Sequence, residues 1–121
     1  MAQVWEVLLR PRVKKIMLGM TKQERGKMNG AILELKQHGP HLEMQSRGKY
    51  AHALKNARYA NLKQLIVRAG KSVWRFAYYV DKHQVVHILC GGDKRGVSQT
   101  VFYKRLVDEA YREIDAIERG E

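Results

Sequence analysis

A chain of 121 residues with 45% apolar content builds one hydrophobic core and leaves nothing for a second domain. No apolar stretch approaches the roughly 20 residues that a membrane helix needs. Its 23 Lys and Arg against 12 Asp and Glu give a net charge of +11, far beyond what solubility requires, so the expected partner is a polyanion; with no apolar span, a membrane is not among the expected partners.

The N-terminus lacks the basic start, apolar run and small-residue cleavage site of a signal peptide, so a cytoplasmic location is expected. A single cysteine, Cys90, rules out an internal disulfide and any CxxC site, and within an apolar strand it reads as core filler. The charge is uneven: residues 1–40 carry +5, residues 41–80 carry +7, and residues 81–121 carry −1. No carboxylate lies between Glu43 and Asp81, while Lys55, Lys63, Arg68, Arg75 and four further cations accumulate there. A one-signed stretch of that length reads as a phosphate-binding surface, held by counterion release.

In chain order, Val4–Leu8 is short and apolar and predicts a first strand, bounded by Arg10-Pro11. Pro11 suits the first turn of a helix carrying Val13, Ile16, Met17 and Met20. Thr21 and Glu24 form a capping box, and Met28, Ile32 and Leu35 continue it as a second helix to about His38, where Gly39-Pro40 stops it. The two helices make a hairpin. From His41 to Ala60 periodicity is lost, which predicts a long loop or a poorly paired segment. A three-strand meander follows: Asn61–Arg68, Ser72–Val80 and Val85–Cys90, with turns at Ala69–Lys71 and Asp81–Gln84. In its middle strand Trp74, Phe76, Tyr78 and Val80 share one face and Val73, Arg75, Ala77 and Tyr79 the other. Gly91–Gly96 predicts a flexible basic loop, and Tyr103, Leu106, Val107, Ala110, Ile114 and Ile117 stripe a final helix. The expected fold is a single α+β domain over residues 1–121. It has a small antiparallel sheet (N-terminal strand plus meander), two N-terminal helices and a C-terminal helix. Helices are expected on one face and Arg75 on a free one.

Phosphate loop, HExxH, zinc spacing and hydrolase triad are all missing, so neither a cofactor nor a metal is expected. The meander instead gathers Lys63, Arg68, Arg75 and Tyr79, followed by Lys94, Arg95 and Tyr103. Metal-free RNA cleavage needs a 2′-hydroxyl proton removed, a 5′-oxygen protonated and phosphate charge stabilised. Arg and Lys supply the last, and a Lys or Tyr among cations can move protons. Among the histidines only His52, in the acid-free segment, is a candidate for the site.

Asn61-Leu62-Lys63-Gln64-Leu65, Ser72-Val73-Trp74-Arg75-Phe76-Ala77-Tyr78 and Gly91-Gly92-Asp93-Lys94-Arg95-Gly96 precede a Phe/Tyr-containing helix. With His38-Gly39-Pro40, this pattern resembles the phage-derived branch of the RelE/HigB toxins over residues 3–117. The resemblance implies a RelE-like fold and the toxin of a type II toxin–antitoxin system. It further implies ribosome-dependent, metal-independent endonucleolytic cleavage of mRNA. The implied partners are the ribosome, mRNA and a helix-turn-helix antitoxin. By the same resemblance Arg75 contacts the scissile phosphate, and Lys94 or Arg95 is the cation after the last strand. Tyr103, with Phe102 as its rival, is the stacking or proton-transfer aromatic. Lys55, Lys63, Arg68 and Arg95 are assigned to RNA binding, although a one-residue slip would turn Lys63 away from Arg75. Two other readings stay open: a ParE-like non-catalytic inhibitor of a topoisomerase, and a plain basic nucleic-acid-binding module.

Overall fold

The computed structural model describes residues 4–54 and 62–121. A short strand β1 (Val7–Leu9) leads into α1 (Pro11–Leu18) and α2 (Lys22–His38). A single 3-10 turn (Gly39–His41) and the short α3 (Leu42–Gln45) carry the chain to β2 (Ala51–Ala53). The strands β3 (Leu62–Ala69), β4 (Ser72–Val80) and β5 (Val86–Asp93) form the meander, and α4 (Gln99–Glu118) closes the chain. Among the described residues the strands make one sheet in the order β1-β5-β4-β3-β2. β1 runs parallel to β5, so the sheet is mixed at that edge, and β2 adds an edge strand within the segment expected to be a long loop or poorly paired.

Local chemistry explains the helix starts. Pro11 opens α1, and at α2 the Thr21 hydroxyl accepts from Glu24 N while the Glu24 carboxylate accepts from Thr21 N. The second Glu24 oxygen accepts from the Trp74 indole, which ties this cap to β4. Gly39 ends α2 at φ 51°, and a Cβ there would lie 2.4 Å from the Trp5 ring, so glycine is required both for the turn and for the contact.

The α1–α2 hairpin covers one sheet face, where Val13, Met28 and Leu35 pack on Leu65, Phe76, Tyr78 and Ile88. The opposite face, which the sequence led us to expect free, is covered. There α4 lays Phe102, Leu106, Ala110 and Ile114 over Leu62, Ala77, Leu89 and Cys90. The central strands are apolar on both faces, and the stripe on α4 has to leave water somewhere. A register shift helps: Ala77 pairs with Cys90 but Tyr78 with Ile88, leaving Leu89 as an extra residue that joins Cys90 under α4. Arg10 and Arg12 then tie the helical layers together, bonding Glu113 at 2.8 Å and Glu109 at 3.2 Å.

β5 also runs further than expected, through Gly91 and Gly92 to Asp93. Gly91 is a packing glycine: a Cβ there would sit 2.2 Å from Phe76 Cδ1. No helix among the described residues is long and apolar enough to cross a membrane.

Candidate functional site

Directly opposed residues in an antiparallel pair share a face, so register decides which side chains can meet. On β3 and β4, Gln64 opposes Ala77 and Ile66 opposes Arg75, which places Gln64 and Arg75 on the α4 side of the sheet. His52 of β2 opposes Gln64 and lies on that side too, and Gly92 of β5 flanks Arg75 on its other edge. Where the first turns of α4 pass over these residues, Tyr103 comes down onto them.

Gln64 is the hub. Arg75 Nη1 donates to Gln64 Oε1 at 3.1 Å, and the Tyr103 hydroxyl donates to the same oxygen at 3.1 Å. A guanidinium can only donate, so it is the amide oxygen that faces Arg75, and the phenol must then supply its own hydrogen. The Tyr103 oxygen is left with its lone pairs for any ligand. Lys94 places Nζ 5.4 Å from the Tyr103 ring centroid, within cation–π range, and Phe102 braces that ring edge-on at 5.3 Å. Arg75 Nε is buried and has no partner among the described residues. Gln64 itself is 8% exposed, so the cluster rests on a fixed amide.

Three residues assigned to catalysis by the sequence reading, Arg75, Lys94 and Tyr103, therefore converge. Phe102, the rival of Tyr103, is 7% exposed and belongs to the α4 core. Arg95 turns back on its own loop and bonds Asp93 at 2.9 Å, which separates it from Lys94. Lys63 does not join them: its register puts it on the α1–α2 side, opposite Tyr78, and its Nζ bonds Glu43 Oε1 at 2.9 Å. Arg68 shares the Arg75 side but lies at the far end of β3, where it donates to Lys49 O at 3.0 Å. Lys55 lies outside the described residues.

Beside Tyr103 opens a concavity of about 480 Å³ bounded by Glu43, His52, Leu54, Gln64, Gln99 and Val107. The Lys63 hydrogen bond holds the Glu43 carboxyl below its ordinary range against the opposing effect of partial burial. The Ala53 N–H and the nearby His52 act in the same direction as Lys63. Glu43 and Gln64 were both missed in the sequence. Gln64 carried a signal only jointly with Lys63, as one of two adjacent polar residues in the otherwise apolar run Leu62–Val67.

Cys90 is buried, donates to Leu106 O at 3.4 Å, and has its thiol pushed up to about 12 by burial, so it stays protonated packing. His87, also nearly buried, bonds Asp81 at 2.8 Å at the base of the β4–β5 turn. Among the described residues no grouping of His, Cys, Asp and Glu could hold a metal ion.

This architecture is that of the RelE toxins. A solved structure of E. coli toxin RelE in the free state, carrying two arginine-to-alanine substitutions, matches with a TM-score of 0.61 at 15% identity, over 92% of this chain and 98% of that one. At this identity the likeness is one of fold. A model of the phage-derived Gp49-like proteins matches residues 15–115, and the chain belongs to that family, a RelE/HigB-type toxin family. No curated protein matches the sequence.

Proposed function

We propose that this chain is the toxin of a toxin–antitoxin pair and acts in the cytoplasm as a metal-independent endoribonuclease on ribosome-bound mRNA. The observation that carries the reading is the shared Gln64 oxygen, which holds the Arg75 guanidinium and the Tyr103 phenol side by side with the Lys94 ammonium on the phenol ring. A phosphate in front of Arg75 meets a planar, permanently charged donor fork that suits the extra charge of a pentacovalent phosphorane. Lys94 adds a second cation on the same side. Tyr103, with its hydrogen engaged by Gln64, presents acceptor lone pairs that orient the 2′-hydroxyl for attack on the adjoining phosphorus. As the 2′-oxygen bonds to phosphorus its proton passes to solvent water, the bond to the 5′-oxygen breaks, and that oxygen takes a proton from the Lys94 ammonium, which solvent then restores, leaving a 2′,3′-cyclic phosphate and a 5′-hydroxyl.

The charge of the chain supports a nucleic-acid substrate, and its family supports an antitoxin as its neutralising partner, which we take to be of the helix-turn-helix kind with an acidic segment over Arg75 and Lys94. The test is to add the purified chain to translating ribosomes and map new mRNA ends with their chemistry. Cyclic phosphate and 5′-hydroxyl ends are expected. Ends bearing 5′-phosphates would point to an activated water instead, and no new ends would favour a non-cleaving toxin.

A further inference from the structure

Tyr103 borders two different environments. Around Arg75 and Lys94 the charge is positive, whereas the concavity on the other side has one charged group among its described lining residues, the carboxylate of Glu43. The remaining walls are apolar (Leu54, Val107), aromatic (Tyr103, His52) or amide (Gln64, Gln99). That mixture suits a neutral heteroaromatic ring with polar edges, since splayed bases of single-stranded RNA stack on aromatic side chains and bond through their edges.

We propose that this concavity is a nucleobase subsite, taking the base next to the phosphate held by Arg75 and favouring bases with an exocyclic amino group. The inference rests on the nucleic-acid reading of the site. Glu43 is the discriminating group. One of its oxygens accepts from Lys63 Nζ at 2.9 Å and the other from Ala53 N at 3.1 Å, yet each keeps a second lone pair and the side chain is 35% exposed. The ion pair also keeps the carboxylate ionised, so at neutral pH it can only accept. Adenine, cytosine and guanine each offer an amino donor to such a group, whereas uracil turns a carbonyl oxygen to either side of its single N–H. Gln64 Oε1 is saturated by Arg75 and Tyr103, so that side chain can offer only its amide hydrogens, and Gln99 at the exposed start of α4 can both give and accept.

The experiment titrates the isotopically labelled full chain with 2′-deoxy trinucleotides, which lack the attacking hydroxyl. Thymine stands on both sides of a central adenine, cytosine, guanine or uracil, so the only amino group is central. Chemical shifts should move at the Ala53 amide and at the Gln64 and Gln99 side-chain amides, with the three amino-bearing bases binding at least about fivefold tighter than uracil. Glu43→Gln, whose amide both donates and accepts, should bring all four within about twofold. Gln99→Ala, which leaves the Glu43–Lys63 pair untouched, should weaken the amino-bearing set about two- to threefold. Equal binding of the four bases, shifts confined to Arg75 and Lys94, or a ranking that survives Glu43→Gln overturns the subsite. Ribosomes left uncut while the Glu43-dependent ranking persists would remove the cleavage reading and keep the subsite. Cleavage with no such ranking would do the reverse.

Discussion

Arg75 and Tyr103 donate to one and the same oxygen, Gln64 Oε1, each at 3.1 Å, although they come from a central strand and from the final helix. The amide couples the cation to the phenol. Gln64→Leu should release both and lower mRNA cleavage by about tenfold while the protein still melts cooperatively. Gln64→Glu keeps the acceptor but adds a negative charge beside the incoming phosphate, so its loss should appear chiefly as a raised KM. Equal activity of both variants and the parent protein would show that the amide is only packing.

Arg75→Ala should reduce cleavage by about 100- to 1,000-fold, the size of effect expected for a preorganised charge stabiliser. Its stability cost should stay near 1 kcal/mol, because Arg75 Nε is already unpaired among the described residues and Phe76 and Tyr78, which fill the core, lie on the other face. Arg75→Lys keeps the charge but loses the fork, so it should recover only part of the activity. Cleavage rates and thermal melts on the three proteins check this.

Adjacent aromatics on α4 should separate cleanly. Phe102→Ala empties a position that is 7% exposed and should cost about 3 to 4 kcal/mol in denaturant unfolding. Tyr103→Phe keeps the ring against Lys94 and removes only the hydroxyl, so it should fold normally and cleave more slowly. Full activity of Tyr103→Phe would confine Tyr103 to a stacking or packing role.

Lys94, assigned to catalysis by sequence, and Lys63, assigned to RNA binding, should differ in the salt dependence of RNA binding. Lys94→Ala should lower the slope of log K against log salt by about 0.7, the loss of one single-strand phosphate contact. Lys63→Ala should leave the slope unchanged, since its charge is already neutralised in the ion pair with Glu43. A flat response in the parent protein would remove the electrostatic case altogether.

Acid should loosen the start of α2 through Glu24. Its carboxyl is held down from 4.5 to about 2, chiefly by the Thr21 backbone N–H and next by the Trp74 indole. A depressed carboxyl contributes stability that is fully present above its unfolded value and is lost as pH falls through its folded value. Glu24→Gln should therefore melt below the parent protein at pH 6, and the gap should close between about pH 4.5 and pH 2. A gap constant over that window would mean that the charge of Glu24 does not matter.

Local patterns were legible in the sequence because they depend on neighbours along the chain. Thr21 and Glu24 form a capping box wherever they open a helix, Pro11 suits a first turn, and alternation along Ser72–Val80 separates the Trp74 face from the Arg75 face. The motif residues around Arg75 and Gly91–Gly96 were sufficient to indicate the toxin family. Tertiary structure alone decided what lies over the Arg75 face and which cations reach it. Whether α4 packs there depends on apolar area contributed by strands far apart in the chain, and the Leu89 irregularity that enlarges this area leaves no mark in the alternation. Lys63 and Gln64 are adjacent and both polar, so sequence offers no way to choose between them. A strand side chain reverses face at every residue, and the pairing of β3 with β4 turns Lys63 to Glu43 and brings Gln64 to Arg75 and Tyr103.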